Sequence, residues 1–145
     1  MQIILIYNET MSINYCFTFS AIELTVRYCD NQSKDLGIIS SYVHIGLQRA
    51  KNLKQLKSVR SAHMRVIDTL IDTMCDNALP LAWRQHCHLY IKRLLPLLFE
   101  MLEPAKYNQK VNEINILHTY FLQQPTQEQS TFCNSKAVIK KKMNQ

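Results

Sequence analysis

Apolar residues recur at steps of three and four along most of the chain after Ile38. The clearest case runs from Val59 to Cys75 and comprises Val59, Ala62, Val66, Ile67, Leu70, Ile71, Met74 and Cys75, with His63 in the same series. Those steps put all of them on one face of a helix. The opposite face carries Arg60, Ser61, Arg65, Asp68, Thr69 and Asp72. The pattern predicts an amphipathic helix with one side sealed against a core.

Its neighbours follow the same period. Val43, Leu47, Ala50, Leu53 and Leu56 predict a helix from about Ile38 to Leu56. Ser58 is a plausible N-cap for the next helix if the chain bends there; without a bend, residues 38–75 form one rod. The end of the Val59–Cys75 helix is expected near Asp76 and Asn77, because Asn tolerates the left-handed conformation. Pro80 suits the first turn of another helix, which runs to about Glu103. On it Trp83, Cys87, Ile91, Leu94, Leu98 and Met101 form one stripe, and Leu89, Leu95, Leu97, Phe99 and Leu102 add apolar surface elsewhere. A helix apolar nearly all round must be covered nearly all round, by its own chain or by another. Pro96 should kink it and free the carbonyl of Lys92. Pro104 closes this element, and a last helix from about Tyr107 to Gln123 presents Val111, Ile114, His118, Phe121 and Leu122.

The first 29 residues read less simply. Gln2–Tyr7 is a short apolar run, and Ile13, Tyr15, Phe17 and Phe19 alternate, which is strand periodicity. Asn8–Ser12 would suit a hairpin loop, and Met11 offers an alternative start. In residues 20–29, Ser20 and Glu23 have capping-box spacing, whereas Ile22, Leu24, Val26 and Tyr28 alternate like a strand; helix is the preferred reading. A polar loop, Asp30–Gly37, follows. After Pro125 the chain is rich in Gln, Ser and Thr and carries Lys140, Lys141 and Lys142, which reads as a flexible basic tail.

Composition changes this picture in two respects. With 145 residues, 47% of them hydrophobic and only two glycines, the chain suits one helical domain and lacks the glycine-rich loops that cradle nucleotide phosphates. The net charge of +6 is uneven. Residues 1–48 carry four acids and two bases, leaving seven acids and fifteen bases, or +8, in the rest. That asymmetry favours an anionic partner: nucleic acid, an acidic protein or an anionic membrane surface. Five cysteines (Cys16, Cys29, Cys75, Cys87 and Cys133) fit no disulfide or zinc spacing, which with the absence of a signal peptide points to a reducing, intracellular compartment such as cytoplasm or nucleus. No window has the apolar length of a membrane span; Ile13–Cys29 is broken by Asn14, Glu23 and Arg27.

Candidate chemistry is sparse. Arg49, Lys51, Lys54, Lys57, Arg60 and Arg65 form a basic run with no acid among them. Like charges repel on one helix, so such a run can mark an anion-binding face. On a continuous helix, steps of three drift by about 60° each, so the bases would wrap half a turn rather than form a strip. No helix-turn-helix glycine turn or base-stacking motif accompanies them. In Trp83-Arg84-Gln85-His86-Cys87-His88 the two histidines point nearly opposite ways and cannot readily share a metal, which needs three or four converging ligands. His63 reads as a core histidine held by one hydrogen bond, and Asp68, Asp72 and Asp76 as a salt-bridged strip. No nucleophile motif occurs and no known family is marked by a motif, so neither catalytic residues nor a cofactor are expected.

The sequence therefore predicts a mainly α domain over residues 1–124: a bundle of four or five helices, with residues 1–19 irregular or a short N-terminal β-hairpin, and a tail over 125–145. The expected function is a small protein-interaction module, a regulator, adaptor or assembly subunit. It would dock another protein or a second copy through Leu94, Leu95, Leu97, Leu98 and Phe99. The alternative is a nucleic-acid-binding regulator using Arg49, Lys51, Lys54, Lys57 and Arg60.

Overall fold

The computed structural model describes residues 18–28 and 35–123. Among them it contains five α-helices and no strand: α1 over residues 18–28, α2 Gly37–Lys51, α3 Leu56–Met74, α4 Leu81–Met101 and α5 Pro104–His118. A π-helical turn, Thr119–Gln123, continues α5.

Helix α3 is the central rod, packed between α2 and α4. Its predicted stripe is the buried one: Val66 is 0%, Ile67 1% and Leu70 0% exposed. Val59 and Cys75, at the two ends of the stripe, are half-buried. Thr73 joins the core at no polar cost, because its hydroxyl donates to the Thr69 carbonyl at 2.7 Å. In α4 the residues Trp83, Cys87, Ile91, Leu94 and Leu98 are buried as the stripe requires, and the helix continues through Pro96. Helix α5 is anchored mainly by Ile114, with Tyr107, Leu117 and Leu122 packed against the core. Lys110 reaches across to α3, 3.1 Å from Asp68, and is 3.2 Å from Glu113 of its own helix.

Several boundaries differ from the expectation. Residues 18–28 are helical, so Phe19 belongs to α1 and not to an extended strand; residues 1–17 of the expected hairpin lie outside the described residues. The helical reading wins here because Phe19, Ile22, Glu23 and Val26 face inward at steps of three and four, leaving Leu24 and Tyr28 exposed. Ser20 is inside the helix and is not its cap. Of the two alternatives for residues 38–75 the chain takes the bend, at Asn52–Gln55, and Gln55, in extended conformation, is the N-cap of α3 in place of Ser58. This break ends the register of α2. Its buried face is Ile39, Tyr42, Val43, Gly46 and Ala50, while Leu53 and Leu56 are 36% and 73% exposed.

No non-glycine residue among those described has a positive φ, so Asn77 does not close α3 in the left-handed conformation. Asp76 makes the turn instead: its side chain accepts from the Ala78 N–H at 3.0 Å and its carbonyl from the Leu79 N–H at 3.1 Å. Pro80 sits one place before the first turn, as the N-cap residue of α4, and Pro104 occupies the first turn of α5 rather than the gap before it. The expected tail lies outside the described residues.

Candidate functional site

The break between α2 and α3 brings the basic run together. Arg49 and Lys51 end α2, Lys54 lies in the link, and Lys57 and Arg60 open α3. Because the run turns a corner, the half-turn drift expected of a straight helix does not apply. Lys51, Lys54, Lys57 and Arg60 are exposed, and Arg49 is half-buried. Among the described residues none of these five has a carboxylate within ion-pair distance, whereas Arg27, Arg65 and Lys110 pair with Asp76, Glu23 and Asp68 respectively.

Helix ends sharpen the field. Arg49 and Lys51 complement the negative end of the α2 dipole, but Lys57 and Arg60 stand at the positive end of α3, where no side chain caps the first-turn N–H groups. Positive charge is concentrated here beyond what the local dipoles balance.

A shallow open depression lies at this corner, lined by Arg49, Leu53, Lys57, Ser58, Ser61, Ala62 and Arg65. Its lining holds three cations and two hydroxyls and no acid. Two of the cations are held from behind by α1. The guanidinium groups of Arg49 and Arg65 each lie 5.0 Å from the centroid of the buried Phe19 ring, and Tyr42 stacks on that ring at 5.3 Å. Arg65 donates to Glu23 through Nε at 3.0 Å and Nη2 at 2.7 Å, and the Tyr42 hydroxyl donates to the same carboxylate at 2.8 Å. Burial pushes the Glu23 carboxyl up, but its hydrogen bonds from Arg65 and Tyr42 outweigh burial and hold it below the usual value. Tyr42 is pushed well above the usual phenol range, chiefly by burial.

Sequence reasoning found the cations but not their support. Phe19 and Glu23 lie far away in the chain, and only α1 folding over α2 and α3 places them here. Leu53 and Leu56, expected on the apolar side of an Ile38–Leu56 helix, are exposed.

The apolar docking surface is largely internal. Leu94 and Leu98 are 6% and 0% exposed, buried in the chain's own core and closed to a partner. Leu95 and Leu97 are half-buried against that core. Phe99 is 63% exposed, its ring edge-on to Tyr107 at 5.2 Å.

The histidines of the Trp83–His88 stretch meet different partners. His86 meets Tyr90 edge-on at 5.3 Å, and His88 stacks on His118. His63 is buried, and its Nδ1 has no hydrogen-bond partner among the described residues. Burial pushes its pKa down, and the nearby Val59 carbonyl offsets this only in part. Asp68 and Asp76 are paired, with Lys110 and Arg27. Cys75 is a free thiol. Among the described residues no group of three His, Cys, Asp or Glu side chains is placed to hold a metal ion, and no helix is long and apolar enough to cross a membrane. Comparison of the chain with protein-family models, with curated proteins and with solved structures gave no match.

Proposed function

We propose that this chain is a nucleic-acid-binding module that holds the phosphate backbone at the α2–α3 corner. The observation that carries this reading is the cluster of exposed cations Lys51, Lys54, Lys57 and Arg60, unpaired with any carboxylate among the described residues, around a depression that also presents Arg49 and Arg65. Asn52, Gln55, Ser58 and Ser61 intersperse amides and hydroxyls among the cations, the donor mixture that suits phosphate oxygens. Phe19, the ring beneath Arg49 and Arg65, is buried and is not available to stack on bases. The contact is therefore with backbone charge, with little sequence preference and steep salt dependence.

The test is titration of a fluorescent duplex and a single strand at several salt concentrations. Wild type should bind both, with affinity falling steeply as salt rises. Lys51→Gln/Lys54→Gln/Lys57→Gln should lower the magnitude of the log–log slope by about 2–3 on duplex. Lys106→Gln, on α5, should leave the magnitude of the slope within about one of wild type. Absence of binding at low salt, or an unchanged slope in the triple variant, would refute the reading.

A second reading, the protein-interaction module, is supported by the exposed Phe99, Ile116 and Tyr120, at 63%, 68% and 61%. Ile116 and Tyr120 border shallow hollows on the outer side of α5 and the π turn. A protein partner retained on affinity purification after nuclease treatment, and lost with Ile116→Asp, would favour it over the first.

A further inference from the structure

His88 on α4 and His118 at the end of α5 lie face to face, ring centroids 3.7 Å apart and 14° from parallel. Both are half-buried. Beyond His118 the chain passes directly into the π turn, which is tied back to α4 by Arg84, whose Nη1 donates to the Phe121 carbonyl at 3.1 Å. The ring stack thus sits at the seam that holds the end of α5 down.

The charges around this seam are mostly positive. On α4 itself Arg84 and Lys92 flank His88 one turn away on either side. Helix α5 supplies His118, and its Glu113 is engaged with Lys110. From α3, Cys75 lies within reach of the charges of Asp72, Arg84 and Glu113. Helix α2 meets α4 on another side, where His44 and Tyr90 line a common hollow. The titratable group of the π turn is Tyr120, which points to solvent. Among the described residues neither imidazole is paired with a carboxylate.

Two neutral imidazoles stack, and a neutral ring under a protonated one still attracts it. Two imidazolium rings at this separation repel, and Lys92 adds to the repulsion. We propose that the His88–His118 stack is an acid-sensitive latch: doubly protonated, it releases the end of α5 and the π turn from α4 while α3 stays packed.

Burial, then His118, then Lys92 push His88 from the ordinary histidine value down to about 4. With the latch released His88 takes up its proton near pH 6.5, and with it closed only near 4. Latching is at full strength above pH 6.5 and weakens as the pH falls from there toward 4. The buried His63 responds in the same direction, but it sits in α3 and weakens the core as a whole. Location therefore separates the two.

Amide hydrogen exchange of the full chain at about pH 7.5 and 5, corrected for the intrinsic pH dependence of exchange, tests the latch. Protection of residues 115–123 should fall about tenfold or more on acidification, clearly beyond the smaller fall that His63 causes in residues 66–74 of α3. In His88→Gln the fall should shrink to under about twofold. If that variant does not fold, His118→Gln carries the same comparison. Acid-insensitive protection at 115–123, an equal fall in α3, or an undiminished fall in a folded glutamine variant would each overturn the proposal. None of these outcomes bears on nucleic-acid binding.

Discussion

Arg65 on α3 grips the Glu23 carboxylate on α1 with both Nε and Nη2, at 3.0 and 2.7 Å. The Tyr42 hydroxyl from α2 closes on the same carboxylate at 2.8 Å, so one acid joins three helices. Because the folded state holds Glu23 below its ordinary value, its contribution is complete above pH 4.5 and is lost as the pH falls through the folded value.

Glu23→Gln should therefore destabilise the fold near neutrality and hardly at all in strong acid. Arg65 is 43% exposed, so solvent screens the pair and the expected loss is about 1 kcal/mol. Denaturant unfolding of both proteins at about pH 7 and 3 checks this. An equal loss at both would mean that the carboxylate charge contributes nothing.

Gly46 of α2 packs directly against Val66 of α3. A Cβ there would overlap Cγ2 of Val66 and lie 3.3 Å from Cε2 of Phe19. Gly46→Ala should thus cost roughly 1–3 kcal/mol, although alanine is the better helix former by about 1 kcal/mol. Val66→Ala removes the overlapping methyl, so the two substitutions together should cost less than the sum of each alone. Thermal melts read both, and a stabilised single variant would contradict this packing.

Leu98 and Phe99 are adjacent but should behave oppositely. Leu98 is fully buried, so Leu98→Ala should lose roughly 2–5 kcal/mol. Phe99 is 63% exposed, and Phe99→Ser should cost under about 1 kcal/mol, the edge contact with Tyr107 included. Chemical denaturation distinguishes them; comparable losses would place Phe99 in the core.

The indole of Trp83 donates to the Val26 carbonyl at 3.0 Å in a buried setting, tying α4 to α1. Trp83→Phe keeps most of the apolar area but leaves that carbonyl without its donor. A loss of roughly 1–3 kcal/mol is expected, with earlier hydrogen exchange in α1 than in α3. Unchanged protection of α1 would show that the bond contributes little.

The stripes of α3 and α4 were legible in the amino-acid order to within a residue or two. Each helix is long, and burial of Val66, Ile67, Leu70, Ile91 and Leu98 follows directly from a period of 3.6. Helix α1 is short, and there strand and helix periods competed. The run of cations at 49–60 was also legible, since charge needs no folding to be counted.

Local periodicity alone thus determined which faces of α3 and α4 turn inward, because each residue's side is set by its place in its own helix. Tertiary structure decided the rest. It stopped α2 at Lys51, which turned Leu53 and Leu56 outward and folded the basic run into a corner. It covered Leu94 and Leu98 and left Phe99 uncovered. It also brought Glu23 to Arg65 and His118 to His88, pairs 42 and 30 residues apart in the chain. Such pairs leave no trace in the spacing of neighbours; they exist only because separate helices pack side by side.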